Sequence, residues 1–486
     1  MNIAALLLLP VLAALLLWSR AVRARATLLM IVVGVLATGL AISAAVVLPG
    51  GARGLGTFVE HLQGTELLRV DATSRLFLVV INPIFLGISV YVANRVSTTP
   101  SLDVGLGSFV GFSVLFLAAA NTVLVSNHLL LLWLALEATT LLAAPLIVRA
   151  NVRSSRQASW RYVLFSSVGM ALVLLGILCL ARGMEHAGSV PTFFIDELRE
   201  LADDVVNPWR KVGLALVLFG LGTKLGLAPM YSWLPEAYDE APPSVTALLA
   251  SVQFNCALVA LLRIVQLFRP GNEALFSGVL ITMGIVSMVA STVSIIATRN
   301  MKRLIAYASI NHAGVIAIGL GVGKGASFGL MLYVISNAFI KAILFLTAGK
   351  IKAHYRTKDT RKISSLIQDL PYSGVFLMVG TFALLGFPPF GSFVGELLIL
   401  SALVSSGQML VFAAFCVLVT MSFVATGRTI FPMIWGTAKA KRVWPRQTFA
   451  SAAPKIAFLV ALLALGIYIP PVISDLIDQV ATSVEP

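Results

Sequence analysis

The feature that most constrains this chain is a succession of apolar runs, each long enough to cross a bilayer as a helix. They fall at approximately 2–18, 26–48, 74–95, 107–126, 128–149, 160–181, 211–234, 243–268, 273–298, 303–321, 326–350, 373–403, 407–432 and 453–474. A bilayer-spanning helix needs about 20 predominantly apolar residues. Inside hydrocarbon the backbone must satisfy its own hydrogen bonds, and runs of this length do so as helices. The expectation is an all-α polytopic membrane protein of about 14 transmembrane helices. Of the 486 residues, 58% are hydrophobic and only 12% charged, where a soluble domain carries about 25% charge. That balance excludes a water-soluble enzyme, a disordered chain and a nucleic-acid-binding protein, even at a net charge of +14.

The positive charges have an address. The first run lacks the basic residues that precede a secretory signal's apolar core, and Arg20, Arg23 and Arg25 follow it, which suits a retained helix with its N-terminus outside. Loops after the odd-numbered runs are then cytoplasmic and hold Arg149, Arg153, Arg299, Lys302, Lys350, Lys358, Lys439 and Lys441, among others. About 23 of the 35 basic residues sit on that side and about 10 on the other. This places the protein in a bacterial cytoplasmic (inner) membrane with both termini on the outer, periplasmic side. One loop stands against the rule: Glu236, Asp239 and Glu240 are acidic yet fall on the cytoplasmic side. No connection is long enough for a separate catalytic domain. Cys179, Cys256 and Cys416 lie singly in apolar runs, with no Cys-x-x-Cys or Cys/His cluster. A metal or redox centre is therefore not expected, and no flavin, quinone or nucleotide site is readable.

Any chemistry must then happen in the membrane, where a central charge costs at least ~2.5–3.5 kcal/mol. Four residues accept that cost: Glu137, Lys224, Lys341 and Glu396. Each could snorkel to an interface or serve a structural pair. Four charges of both signs, each well inside its run, point instead to a buried proton or cation relay. Separating a carboxylate from a buried lysine changes where a proton resides, so a Glu–Lys pair can act as a switch. His312, in Ile-Asn-His-Ala-Gly, is a fifth candidate because imidazole titrates near working pH. Two of the runs also look interrupted. Gly226 and Pro229 follow Lys224, and Gly386, Pro388, Pro389 and Gly391 precede Glu396. Proline removes a backbone donor, which at membrane depth is tolerated where protein or a hydrated cavity covers the gap. A simple proline kink is the plainer alternative. Paired breaks beside charges suggest inverted repeats. The single membrane domain would divide into 1–106, a first repeat at 107–268 (runs four to eight), a second at 273–432 (runs nine to thirteen) and a last helix at 453–474.

These residues carry a resemblance. The stretch from Thr223-Lys-Leu-Gly-Leu-Ala-Pro to Ala250-Ser251, Lys302-Arg303-Leu-Ile-Ala-Tyr-Ala-Ser-Ile-Asn-His, Phe339-Ile-Lys-Ala-Ile-Leu-Phe and Gly386-Phe-Pro-Pro-Phe-Gly-Ser-Phe-Val-Gly-Glu are similar to the antiporter-like subunits of complex I. Within that superfamily, the Leu-Glu-Ala-Thr-Thr-Leu context of Glu137 resembles hydrogenase-4 component F. The resemblance covers nearly the whole chain. It implies fourteen helices with two inverted five-helix repeats, broken seventh and twelfth helices, and proton conduction. Glu137 and Lys224 would form the charge pair of a first half-channel, and Lys341 and Glu396 would belong to the central axis and second half-channel, lined by His312. Asn255 stands where many relatives have Lys or His, and Tyr231 and Tyr238 where they often have His, so these three would only line a water wire. The chain also lacks the long lateral helix of the distal complex I subunit. The implied partners are other membrane subunits of a complex I-like or hydrogenase-like assembly and a soluble redox subunit, with no cofactor in this chain. Three other readings stay open: the cation-conducting partner of a zinc-containing inorganic-carbon (CO2/bicarbonate) uptake complex, a subunit of a multisubunit Na+/H+ antiporter, and a scaffold.

Overall fold

The computed structural model describes residues 3–17, 19, 25–47, 67–98, 105–150, 152–202, 208–437 and 449–485. Arg20, Arg23, Lys439 and Lys441, counted in the charge asymmetry, lie outside them. The described chain is helical, and its β-type pairing is confined to isolated bridges. In order come α1 (Ile3–Leu16), α2 (Ala26–Val47), α3 (Ala72–Thr98), α4 (Leu106–Val125), α5 (Leu129–Ile147), α6 (Arg153–His186), the short α7 (Ile195–Leu201), α8 (Trp209–Leu225) and α9 (Trp233–Glu240). They are followed by α10 (Pro243–Phe268). Next are α11 (Glu273–Ala297), α12 (Met301–Val322), α13 (Ser327–Tyr355), α14 (Pro371–Leu384), α15 (Gly391–Ser405), α16 (Met409–Trp435), α17 (Phe449–Ile467) and α18 (Pro471–Val484).

Among the described residues, ten helices are long and apolar enough to cross a membrane, or eleven if α17 and α18 are taken as one bent span. The protein is an integral, polytopic membrane protein. Its architecture is graded. The apolar windows of α10 and α13 are wholly buried, whereas that of α16 is only 17% buried and that of α2 33%. Leu12, Val35, Val293, Leu410 and Val424 lie on the outer surface. Such an apolar belt is what lipid tails require and what water would penalise.

Two runs are interrupted where their glycines and prolines stand. Gly226 takes a left-handed conformation (φ +75) that ends α8, and Gly386 does the same after α14 (φ +66). The chain restarts as α9 and α15. Two features were not legible in the apolar pattern. Residues Leu248–Gln253 of α10 form a π-helical segment. The last run does not continue straight: the chain bends by 70° between α17 and α18.

Tight helix contacts frame the interior. A Cβ on Gly176 of α6 would fall 2.6 Å from the Gly213 carbonyl of α8, so the two backbones touch as small-residue membrane interfaces do.

The acidic segment that broke the charge pattern is neutralised by the loops around it. Glu240 Oε2 lies 2.5 Å from Arg149 and Oε1 3.1 Å from Lys358; Asp239 lies 3.3 Å from Arg303 and 2.8 Å from Lys358; Glu236 lies 2.6 Å from Arg161. The connections after α5, α11 and α13 therefore share one end of the molecule with α9. Lys302 departs from its expected place in a loop: it lies buried in the first turn of α12. Its ammonium donates to the Asp239 and Ala241 carbonyls at 3.2 and 2.9 Å and to Thr246 Oγ1 at 3.3 Å.

Candidate functional site

Glu137 stands in the middle of α5, and Lys224 in the last turn of α8. Because Gly226 ends that helix two residues later, the lysine sits at the break itself. Lys224 Nζ lies 3.8 Å from Glu137 Oε2, with the two side chains 1% and 14% exposed. Thr140 lies one turn from Glu137 on the same face of α5. It accepts a hydrogen bond from the Lys224 ammonium and donates to Glu137 Oε2 at 3.4 Å. Ser167 of α6 donates to the other carboxylate oxygen at 2.6 Å. Three helices thus converge on one buried carboxylate–ammonium pair with a hydroxyl between them. A proton moved between such groups needs only small side-chain displacements, and the surrounding hydroxyls hold the geometry.

The π-helical segment of α10 joins this pair to the centre. Tyr162 of α6 donates to Gln253 Oε1 at 2.9 Å, and Gln253 Nε2 donates to Thr139 Oγ1 at 3.4 Å. The next residue, Phe254, carries the Lys341 ammonium 3.8 Å from its ring centroid. Lys341 is buried in α13, and its ammonium has no hydrogen-bond partner among the described residues. The same holds for Ser336, Asn337 and Thr347 along that helix and for Asn255 Oδ1 on α10. A buried row of unanswered donors and acceptors is rare in finished proteins and is the usual address of internal water.

Beyond Lys341 comes a second cluster. The His312 imidazole of α12 shares a hydrogen bond with the Tyr333 hydroxyl of α13. His312, Tyr333 and Glu396 line one cavity with Asn311, Ser422 and Thr426. Its volume of about 20 Å³ is that of roughly one water molecule. Glu396 packs against the second break, because its carboxylate occupies the space a Cβ on Gly386 would take. Pro229 lies in the first break, and Pro388 and Pro389 in the second.

The structure brings Glu137 and Lys224 together, and His312 and Glu396 together, while Lys341 stands apart from any carboxylate ion pair. Asn255 donates its amide to the Ser251 carbonyl. Tyr238 packs its ring edge-on against Trp233 and Phe345, at 6.4 and 5.4 Å between centroids, and Tyr231 is half-buried at the break. Sequence reasoning missed Thr140, Ser167, Gln253, Tyr162 and Tyr333. Only Thr140 had a local signal, three residues from Glu137. The others lie on separate helices, where no sequence spacing reports a contact. Among the described residues, no three His, Cys, Asp or Glu side chains gather as metal ligands would.

Buried titratable groups strung between two broken helices of a polytopic bundle define an ion-translocating type of membrane subunit. The chain belongs to the NADH:quinone oxidoreductase/Mrp antiporter transmembrane family, whose model matches residues 126–422. It is 32% identical over 359 residues to a hydrogenase-4 component F homolog of Methylacidiphilum infernorum, covering 72% of this chain and 74% of that one. It is 28% identical to NADH-quinone oxidoreductase subunit N 2 of Solidesulfovibrio magneticus, with 77% and 79% covered. Its fold is that of a chain in the membrane-bound sulfane sulfur reductase, an archaeal respiratory membrane complex, with a TM-score of 0.87 at 22% identity over 99% of this chain and 97% of that one.

Proposed function

We propose that the chain is a proton-translocating, antiporter-like membrane subunit of a hydrogenase-4 or complex I-related respiratory assembly. The observation that carries this reading is the buried Glu137–Lys224 pair at the first helix break, bridged by Thr140. Protons would pass from that pair through the Gln253–Lys341 region to His312 and Glu396, with water beside Asn255, Tyr231 and Tyr238 filling the gaps. The energy scale suits a displaced charge pair, since one charge crossing 100 mV is worth about 2.3 kcal/mol.

Fourteen crossings follow if α8–α9 and α14–α15 each make one broken crossing and α1 and α17 one each. Residues 107–268 and 273–432 would be the two inverted repeats, flanked by 1–106 and 453–474. A parallel supports this: α13 and α15 touch at Gly329 and Gly395 as α6 and α8 touch at their glycines, each contact lying beside a break. Partners would be other membrane subunits and a soluble redox subunit that holds the cofactors. The shared basic end of the α5, α11 and α13 connections favours the cytoplasmic side of a bacterial inner membrane, with both termini opposite.

The test is proton uptake by proteoliposomes holding the assembled complex. Lys224→Ala and Glu137→Gln are expected to reduce uptake to background while the complex still purifies intact. Undiminished uptake in intact variant complexes would sink the relay, and equal sodium-coupled flux would favour a sodium carrier instead.

A further inference from the structure

Far from the relay, α3, α13 and α17 enclose a groove of about 530 Å³, closed at one end by the start of α18. Every lining side chain is apolar. The wall from α17 is a stripe of Ala453, Ala457, Ala461 and Ala464, and Phe458 packs onto Gly87 of α3. Along α3 the lining runs from Leu76 to Val90, about 21 Å of helix at 1.5 Å per residue. Spread over that length, the volume has a mean cross-section of about 25 Å², against roughly 80 Å² for even a slender helix 10 Å across. The groove is the width of one hydrocarbon chain.

At the Val90 and Pro454 end the same three helices each present a cation. Arg95 lies in the last turn of α3, Lys350 in the C-terminal half of α13, and Lys455 next to Pro454 on α17. Lys455 and Lys350, and in turn Lys350 and Arg95, lie close enough to act on one another electrostatically. Neither lysine is ion-paired to a described residue, although Lys455 is only 2% exposed, with its ammonium 4.8 Å from the Phe376 ring centroid. Three cations at one level, two of them without an anion, attract a negatively charged group at the membrane surface.

We propose that this groove binds one anionic phospholipid, with an acyl chain between α3, α13 and α17 and the phosphate at Arg95, Lys350 and Lys455. The lipid fills a seam that side chains leave open and neutralises like charges that otherwise push the three helices apart. Its place on the outer flank separates it from the proton route, so it stands or falls independently of the relay.

The test uses the full chain in its assembled complex, reconstituted in nanodiscs containing phosphatidylglycerol with a diazirine in the acyl chain. Photolysis is expected to label peptides of α3 and α17 that line the groove. Unlabelled phosphatidylglycerol should compete, and phosphatidylcholine should compete far less. Lys350→Gln should weaken labelling about fivefold, the share of one basic residue at a membrane surface. Ala461→Phe should abolish it while the complex remains assembled. Equal competition by phosphatidylcholine, or labelling untouched by both variants, would overturn the proposal. Labelling of the isolated chain but not of the complex would overturn it too, because a partner helix would then cover the groove.

Discussion

The Lys358 ammonium lies 2.8 Å from Asp239 Oδ1, which ties the connection after α13 to the end of the broken α8–α9 crossing. Asp239 is 3% exposed and Lys358 23%, so the pair is shielded but reachable. Lys302 holds the backbone of the same residue from beneath. A carboxylate at this position is thus shared between elements far apart in the chain, and the first break is fastened to the second half of the bundle.

Lys358→Ala should therefore loosen α9. Removing one partner of a fully buried pair costs ~3–5 kcal/mol, and because Arg303 still faces Asp239 the expected loss is about 2 kcal/mol. It should appear as a lower thermal midpoint in detergent. An unchanged midpoint would show that Arg303 alone suffices.

Acid should release the neighbouring contact. Burial pushes the Glu240 carboxyl up, but the Lys358 ammonium, joined by Ser154 and Arg149, overcomes this and holds it down at about 2. A carboxylate whose folded pKa lies below its unfolded value contributes stability above the ordinary carboxylate range and loses it as pH falls toward the folded value. The gap in thermal midpoint between the unaltered chain and Glu240→Gln should be constant from about pH 6 to 8 and shrink below about 4.5. A gap that widens in acid would contradict the assignment.

Thr140→Val keeps the volume near the relay and removes the bridging hydroxyl. Loss of a hydrogen bond worth ~1–1.5 kcal/mol corresponds to about a tenfold slower proton uptake. Assembly should be unaffected. Uptake at the original rate would mean that Lys224 and Glu137 exchange protons without Thr140.

Gly220→Val places a side chain where the Gly169 carbonyl of α6 stands. Overpacking of a dense contact costs typically ~1–3 kcal/mol. The variant is expected to reach the membrane in lower amounts and to melt earlier, as judged by detergent-solubilised yield and thermal midpoint.

Much of this was legible in the residues because the bilayer makes local sequence decisive. A run such as 326–350 must be helical in lipid whatever its neighbours do, and Lys341 within it is costly wherever the helix packs. The breaks were equally local: Gly226 and Pro229 stop a helix by their own backbone chemistry. The π-helical segment at Leu248–Gln253 and the bend after Ile467 were not legible, since the apolar pattern runs through both without a change.

The chain's membrane character, its helical class, its family motifs and the five buried titratable residues were determined by sequence alone, since each rests on a residue's own cost in hydrocarbon. Tertiary structure decided which of them meet. It set Lys224 3.8 Å from Glu137, left Lys341 over Phe254 without a carboxylate, and buried Lys302 against carbonyl groups of a distant segment. Contact between helices depends on how each is rotated and how deep it sits, and those are settled by packing across the whole bundle rather than by spacing along the chain.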